Sequence, residues 1–384
     1  MKVLYTTILQ GQFVSRPNRF VVTINIDGKD VLAHLPNPGR MWELLFPGVL
    51  MYAVPHDKVD AKTQFRIVGI ERDGEVIMLD TNYSNDVAEY LISEKCIPGW
   101  EQWSVVRREY TVGKSRFDLL LRNDKEEQFL LEVKSCTLFG KEGAMFPDAI
   151  TERGRKHLHH LLALQEEGYH TGVLFLVHWA RAKWFLPDYH TDIEFAKTFK
   201  EAAPKLDWKA VSLKWDESFT MPKVVRNCSY DGNLLAKEAE DKGDYIMVLH
   251  LGEDRSVSVG SKGRMEFKAG YYMYVGSAKA NLTQRMERHK RKRKNKHWHL
   301  DYLRGYCDVV AAMAVRSSDD LECAMAQDLR KITEWEIPKF GSSDCHCKSH
   351  LFGMTENPIH NEAFMMFVEE YRMNRLDLKI NKDV

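Results

Sequence analysis

Residues 115–135, SRFDLLLRNDKEEQFLLEVKS, consist of two apolar runs separated by a polar segment at 122–127. Two such runs around a polar turn predict a β-hairpin. The helical pattern VAEYLISEK and a strand near 104–110 precede it, and the helical pattern TERGRKHLHHLLALQEEG and the apolar strand GVLFLVHW follow it. This αβββαβ order predicts a mixed sheet with helices on its faces.

Three charged residues interrupt the hairpin strands. Glu132 and Lys134 are two residues apart and so project from the same face of a strand, and Asp118 lies on the preceding strand. A register that brings Asp118 beside Glu132 would form a two-carboxylate site suited to Mg²⁺ or Mn²⁺, with Lys134 to orient water or stabilise phosphate charge. The alternative is ordinary paired or solvated charges, but charge in a buried strand is costly, which favours a site.

The first 80 residues read as short strands with Asp-Gly pairs at Asp27-Gly28 and Asp73-Gly74. Such pairs between runs rich in Val and Ile are hairpin signals. We therefore expect a mostly β domain at 1–80, a five-stranded barrel of the kind that binds oligonucleotides.

A family resemblance extends over about residues 10–215. The strings RPNRF, AHLPNPGRM, SRFDLLL, LEVKSCTL and FPDAITERGRKHL resemble the sugar fermentation stimulation protein A (SfsA) family. The resemblance implies an OB-like barrel followed by a PD-(D/E)XK nuclease-type domain at 81–217. It implies Asp118, Glu132 and Lys134 as the active-site set, Glu89 and Glu109 as accessory carboxylates, DNA binding, and a regulatory role in sugar metabolism.

Basic residues of this first half are candidates for phosphate contacts. They lie beside Gly and Pro turns, on the first hairpin strand, or at the start of the helix at 151–168, where backbone amides also favour anions. The candidates are Arg16, Arg19, Arg40, Arg116, Arg153, Arg155 and Lys156. Loop hydrogen bonds or a solvated helical face are the alternatives, and His157, His159 and His160 are interpreted as surface histidines.

The chain becomes polar at 218–242, which predicts a linker, and a second α/β domain is predicted at 243–376. The strings GDYIMVLHL, YYMYVGSA and RMERH resemble the GIY-YIG nuclease superfamily. Carried over by position, the catalytic set is Tyr245, Tyr274, Arg285 and Glu322, with Glu322 as a Mg²⁺ ligand. Asp244 replaces an apolar residue of the common pattern, and its late Asn was not found.

Two further features lie in this domain. Arg288 and the run HKRKRKNKHWH that follows it make Arg288, Arg291 and Arg293 candidates for salt-sensitive phosphate binding, with Trp298 as a stacking surface. The cluster Cys345, Cys347 and His350 is a weaker zinc candidate, because a fourth ligand would have to come from Cys323, His297 or His299. A turn with free thiols is the favoured alternative.

Composition restricts the protein class. Lys plus Arg and Asp plus Glu both number 55, and the seven cysteines do not resemble a disulfide framework. No secretion signal or long apolar run is found, so we expect a cytoplasmic protein without membrane association. The sequence predicts a DNA-binding, divalent-metal-dependent nuclease. The alternative is a non-catalytic DNA-binding regulator of sugar metabolism genes on the same scaffold.

Overall fold

The computed structural model describes residues 3–56, 62–113 and 115–380. It divides into two compact units. The first contains the chain through Asp188, Glu194–Gly232 and the segment from Leu376 onward, and the second contains Tyr189–Ile193 and Asn233–Arg375. None of the helices in these described ranges is long and apolar enough to span a bilayer.

The first unit begins with a barrel whose strands pair antiparallel except for the parallel pair that closes it. Its strands are β1 (Leu9–Asn18), β2 (Val21–Ile26), β3 (Lys29–His34), β4 (Leu50–Pro55), β5 (Phe65–Arg72) and β6 (Glu75–Met78). The sheet runs in the order β3-β2-β1-β4-β5-β6, and pairing of β3 with β5 closes five strands. The predicted barrel is confirmed. Strand β1 was not predicted, because only Gly11 and Phe13 of β1 are buried and its apolar pattern is weak.

Both Asp-Gly pairs form the predicted turns. Asp27 and Gly28 have φ angles of 49° and 79°, and Asp73 and Gly74 have 51° and 74°. Two consecutive positive φ angles match the type I′ hairpin turn, which Asp and Gly tolerate better than other residues. Local sequence therefore determines these two reversals.

The αβββαβ order is confirmed in the remainder of the unit. Its elements are α1 (Ser84–Ser93), β7 (Ser104–Val112), β8 (Ser115–Arg122), β9 (Gln128–Cys136), β10 (Leu138–Phe139), β11 (Gly143–Phe146), α2 (Glu152–Glu166), β12 (His170–Val177), β13 (Trp184–Pro187), α3 (Ile193–Ala202), β14 (Asp207–Lys214) and β15 (Lys223–Asn227). The main sheet has the order β15-β14-β12-β9-β8-β7, and β10, β11 and β13 form a smaller sheet. Strands β9, β12 and β14 are parallel, β8 is antiparallel to β9, and β7 is antiparallel to β8.

Alternation along β8 and β9 separates two cores. Leu119 and Leu131 belong to the hydrophobic cluster on one face of the sheet. Leu120 and Leu130 pack on the other face in one cluster with the apolar residues of α2. Since alternate residues share a face, Asp118, Glu132 and Lys134 lie on the α2 face, just beyond the end of that core.

The predicted linker at 218–242 contains regular structure. Its strand β15 pairs with β14, and it is followed by α4 (Gly232–Glu238). The segment is polar because β15 is an edge strand, and most of its side chains at 223–227 are exposed. The exact domain bounds remain a prediction.

The second unit is an α/β domain. Its elements are β16 (Gly243–Leu251), β17 (Arg255–Ser258), β18 (Arg264–Phe267), β19 (Gly270–Ala278), α5 (Leu282–Lys290), α6 (His299–Leu303), β20 (Asp308–Arg316), α7 (Glu322–Lys331), β21 (Trp335–Glu336), β22 (Leu351–Met354) and α8 (Glu362–Arg372). The short α9 (Asp377–Ile380), which ends the described chain, belongs to the first unit. The main sheet has the order β20-β16-β19-β22-β21. Tyr245 pairs with Gly276, where an added Cβ would lie 2.5 Å from the Tyr245 hydroxyl. Only glycine therefore fits opposite that tyrosine.

Candidate active site

Asp118 and Glu132 lie in the middle of β8 and β9, at the point where the pairing of these two strands ends. The last paired residues of this ladder are Leu119 and Leu131, so Asp118 and Glu132 follow one step beyond them. Asp118 Oδ2 accepts a hydrogen bond from the Val133 amide at 2.8 Å, and Oδ1 accepts one from Asn85 Nδ2 at 3.1 Å. Burial and the negative charge of Glu132 raise the pKa of Asp118.

Glu132 is held by two cationic or hydrogen-bonding side chains. Its Oε1 contacts Lys134 Nζ at 2.5 Å and His157 Nδ1 at 2.7 Å. Burial by itself would raise the pKa of Glu132, but the hydrogen bond with His157 and the charge of Lys134 hold it below its ordinary value. Glu132 is therefore an ionised carboxylate that is only 4% exposed.

The interpretation of His157 as an ordinary surface histidine is wrong. Its helix α2 buries Gly154, Leu158 and Leu161, and residue 157 lies at the edge of that stripe. The helical period of TERGRKHL could thus have shown that His157 faces the sheet. His159 is exposed, and His160 stacks on Phe117.

A cavity of about 410 Å³ opens beside this pair of carboxylates and is lined by Asp118 and Lys134. A barrel loop at 36–41 forms part of its wall. Asp148 anchors that loop, because its Oδ2 accepts a hydrogen bond from the Met41 amide at 2.7 Å. A Cβ at Gly39 would lie 2.8 Å from the same Asp148 oxygen, which explains the glycine in PNPGR.

The barrel arginines predicted to bind nucleic acid hydrogen-bond to this loop. Arg16 donates to the carbonyl oxygens of Arg19 and Gly39, both at 2.8 Å, and Arg19 Nε donates to Pro38 O at 2.6 Å. Arg40 Nε donates to Asp148 O at 2.8 Å, and its guanidinium lies over Trp42 at 4.7 Å. All three arginines therefore support the loop through hydrogen bonds, which is the alternative to phosphate binding. Their contact with phosphate remains a prediction.

The predicted accessory carboxylates form surface ion pairs. Glu89 pairs with Arg108, and Glu109 Oε2 lies 3.3 Å from Arg116 Nη1. The side chains of Glu109 and Arg116 are 60% and 64% exposed. Neither carboxylate contacts Asp118 or Glu132 among the hydrogen bonds and ion pairs of the described residues.

The basic residues of α2 begin at the first turn of the helix, which Thr151 caps by accepting from the Gly154 amide at 3.0 Å. Arg153 Nε lies 3.4 Å from His157 Nε2, so it extends the contact chain that starts at Glu132. Lys156 is exposed and Arg155 is half-buried. Arg153 and Lys156 are therefore on the solvent side of the same helix that supplies His157.

The second unit has a separate buried polar chain. The Tyr245 hydroxyl lies 2.9 Å from His289 Nε2, and His289 Nδ1 lies 3.5 Å from Asp301 Oδ1. Burial lowers the pKa of His289 and raises the pKa values of Tyr245 and Tyr274. The sequence predicts both tyrosines as catalytic residues but indicates no role for His289 or Asp301. Asp301 follows a basic run, and that run predicts an exposed surface.

Asp301 neutralises much of that basic run. Arg288 Nη1 contacts both carboxylate oxygens at 3.0 and 3.1 Å, and Lys294 Nζ contacts Oδ1 at 2.8 Å. Burial would raise the pKa of Asp301, but hydrogen bonds from His289, from Lys294 and from two backbone amides hold it far below its ordinary value. In the described part of the chain, Arg291 and Arg293 are exposed and have no acidic partner.

Arg285 and Trp298 are also in contact. The guanidinium carbons of Arg285 and Arg288 lie 4.3 and 4.4 Å from the centroid of the Trp298 ring. Trp298 therefore has cation–π partners within the protein, and base stacking on it would have to displace them.

Glu322 begins α7 and contacts Ser277 and His350. Its Oε2 accepts from Ser277 Oγ at 2.6 Å, and its Oε1 lies 3.1 Å from His350 Nδ1. These contacts hold the pKa of Glu322 below its ordinary value despite burial. The ligand atoms of Cys323, Cys345, Cys347 and His350 all lie within 4.8 Å of one another, so the cluster has the fourth ligand that sequence spacing could not supply.

Three family models match the chain. They are described as the SfsA N-terminal OB domain at residues 14–79, the sugar fermentation stimulation protein RE domain at 82–218, and the domain of unknown function DUF123 at 244–373. The predicted resemblance of the first half is thereby confirmed. The match over the second unit carries no assigned function.

Curated relatives have the name sugar fermentation stimulation protein homolog. The protein of Methanothermobacter thermautotrophicus is 39% identical over 194 residues, which is 50% of this chain and 80% of the relative. That of Methanosphaera stadtmanae is 40% identical over 196 residues, 50% of this chain and 81% of the relative. A solved structure of Pyrococcus furiosus SfsA in complex with Ca²⁺ is 28% identical with a TM-score of 0.54, and the match covers 60% of this chain and 99% of that one.

Proposed function

Because this chain belongs to the sugar fermentation stimulation protein family, we propose that it is a DNA-binding phosphodiesterase that uses Mg²⁺ or Mn²⁺ at Asp118 and Glu132. The observation that carries the proposal is geometric: Asp118 and Glu132 follow directly on the last paired residues of β8 and β9, and Asp118 and Lys134 line the cavity beside them. Two carboxylates held together repel each other, and a divalent cation would relieve that repulsion. The Ca²⁺ in the Pyrococcus furiosus relative supports a hard, oxygen-liganded cation.

The donor set fits such a cation. Asp118 accepts one hydrogen bond on each oxygen, and the contacts of Glu132 converge on Oε1. Each carboxylate oxygen has two lone pairs, so both groups keep electrons for a metal. The bound cation would polarise a phosphodiester and lower the pKa of a coordinated water.

The surrounding side chains keep this site in order. Asn85 and the Val133 amide fix the orientation of Asp118, and His157 fixes that of Glu132. Lys134, with a side chain 23% exposed beside the cavity, supplies positive charge for a phosphate. Arg153 and Lys156 would bind flanking phosphates from α2.

In the second unit we propose that Tyr245 donates its hydroxyl proton toward His289. With the ring proton on Nδ1, facing the ionised Asp301, Nε2 is free to accept it. Tyr274, Arg285 and Glu322 complete the set that the GIY-YIG resemblance implies. The magnesium role of Glu322 would require a metal to compete with Ser277 and His350.

The test is cleavage of labelled single- and double-stranded DNA and RNA by the full chain in Mg²⁺ or Mn²⁺. We expect Asp118→Asn to reduce DNA cleavage by roughly 10²–10³-fold, while Glu126→Gln, a change in an exposed carboxylate of the β8–β9 turn, leaves it unaltered. Equal cleavage by wild type and Asp118→Asn would refute the first site. Salt-dependent DNA binding by the wild type without cleavage would instead support the regulator.

A further inference from the structure

We propose that Cys323, Cys345, Cys347 and His350 form a structural Zn²⁺ site in the second unit. Their four ligand atoms lie within 4.8 Å of one another. Three thiolate sulfurs and one imidazole nitrogen are a typical ligand set for tetrahedral zinc. Four protein ligands leave no open position, so the metal would stabilise structure and would not activate water.

The arrangement needs little movement to bind the ion. Zn–S bonds of about 2.3 Å place the sulfurs of a tetrahedral site about 3.8 Å apart, so the present spacing has to contract by about an ångström or less. Cys345 and Cys347 share one irregular loop, whereas Cys323 is the second residue of α7. Zinc would thus join a helix start to a loop that otherwise has few regular hydrogen bonds.

His350 is already held in position by its backbone. Its amide donates to Phe340 O at 2.8 Å, and its carbonyl accepts from the Val275 amide at 2.9 Å. The ring is buried, with Nε2 at 3.4 Å from Cys345 Sγ. One nitrogen therefore points into the sulfur cluster without any contribution from a metal.

The other ring nitrogen connects the cluster to Glu322. His350 Nδ1 lies 3.1 Å from Glu322 Oε1. A histidine that binds zinc through one nitrogen commonly donates its other N–H to a carboxylate, which fixes the tautomer and the ring. Zinc on Nε2 would keep the proton on Nδ1 and so orient Glu322 toward Ser277 and the strand β19.

The competing explanation is redox chemistry among the three cysteines. A disulfide between two of them would remove two hydrogen atoms and require an oxidant. It would leave one thiol unpaired, and it would not account for the histidine nitrogen directed at the sulfurs. The complete set of four ligands favours zinc.

Metal analysis of the full chain, purified under reducing conditions without chelator, tests the site. We expect one zinc per chain in wild type and in Cys96→Ser, which changes an exposed cysteine of the first unit. Cys345→Ser/Cys347→Ser should contain almost none. Zinc well below one per chain in the wild type, or zinc retained by the double variant, would overturn the proposal.

Two measurements on the wild type do not depend on the folding of that variant. Replacement of zinc by Co²⁺ should produce the thiolate charge-transfer and intense d–d absorption of a tetrahedral site, and its absence counts against the proposal. Nitrogen-15 spectra of His350 should show metal on Nε2 and a proton on Nδ1. A mass two daltons low, indicating a disulfide in this cluster, would favour the redox explanation and overturn the zinc site.

Discussion

Glu132 and Asp301 are both buried carboxylates that contact a histidine and a cationic side chain, yet their surroundings differ. The partners of Glu132, Lys134 and His157, have side chains 23% and 25% exposed, and Asp118 adds a second negative charge beside the cavity. Asp301 contacts Arg288, Lys294 and His289, and two backbone amides complete its shell. The first cluster has excess negative charge and an open side, whereas in the second a single buried carboxylate contacts two cationic side chains. The two clusters therefore differ in charge balance and in access to solvent.

The largest expected effect concerns stability at Asp301. Asp301→Asn should lower the free energy of unfolding of the second unit by roughly 3–5 kcal/mol, because Lys294 and Arg288 lose their buried counter-charge. Glu132→Gln should lower the free energy of unfolding of the first unit much less, because Lys134 and His157 are partly exposed to solvent. Peptide-resolved hydrogen exchange in urea measures both changes in the free energy of unfolding. Equal changes would contradict the distinction between the two clusters.

Asp244 should make the second unit sensitive to pH. Burial and the nearby Glu322 and Asp320 raise its pKa from 3.8 to about 7, although the Leu321 amide opposes this. A raised pKa means that the folded state binds the proton more tightly, so stability present at pH 4 is lost as pH rises through about 7. We expect a loss of roughly 2–4 kcal/mol over that range.

Asp244→Asn should remove this part of the pH dependence, while Asp344→Asn, which changes an exposed acid, should retain it. Urea unfolding of the second unit at several pH values gives the comparison. A stability that increases toward neutral pH in the wild type but not in Asp244→Asn would contradict the predicted sign.

A smaller effect is expected at Tyr245. Tyr245→Phe removes the hydroxyl that contacts His289 Nε2 and leaves a buried acceptor unsatisfied. The expected loss is about 1–3 kcal/mol in the second unit. If DNA cleavage falls far more than stability explains, the second cluster contributes to chemistry, and the comparison must be revised.

The smallest effect concerns the surface acids. Glu89→Gln breaks an exposed ion pair with Arg108, and such pairs contribute about 0–1 kcal/mol. Metal binding, measured by calorimetry with Mn²⁺, should be unchanged, whereas Asp118→Asn should abolish it. Weakened Mn²⁺ binding in Glu89→Gln would restore the accessory role implied by the family resemblance.

Much of the first unit was predictable because its information is local. Apolar runs and polar turns determine the αβββαβ order, and alternation along β9 aligns Glu132 with Lys134. Predicting the contact of His157 with Glu132 required the orientation of α2 on the sheet. The helical period of α2 already indicated that His157 faces the sheet. The barrel strand β1 was not predicted because few of its residues are buried.

The second unit was harder because its key contacts are distant in sequence. Cys323 meets Cys345 only after α7, β21 and a loop have folded, and no spacing rule connects them. The run after Gln284 predicted a basic surface, but the single acid Asp301 turns Arg288 and Lys294 inward. One buried counter-charge thus removes two cations from the surface that a local count of charges suggests, while Arg291 and Arg293 stay exposed.

Asp148 has a consequence for how this protein can be divided. It belongs to the segment matched by the RE domain, yet it holds the Met41 amide and Arg40 of the segment after the first barrel hairpins. A gene fragment that began after residue 80 would keep Asp118, Glu132 and Lys134 but lose one wall of their cavity. The barrel and the segment matched by the RE domain should accordingly be transplanted, truncated or inherited as a single piece.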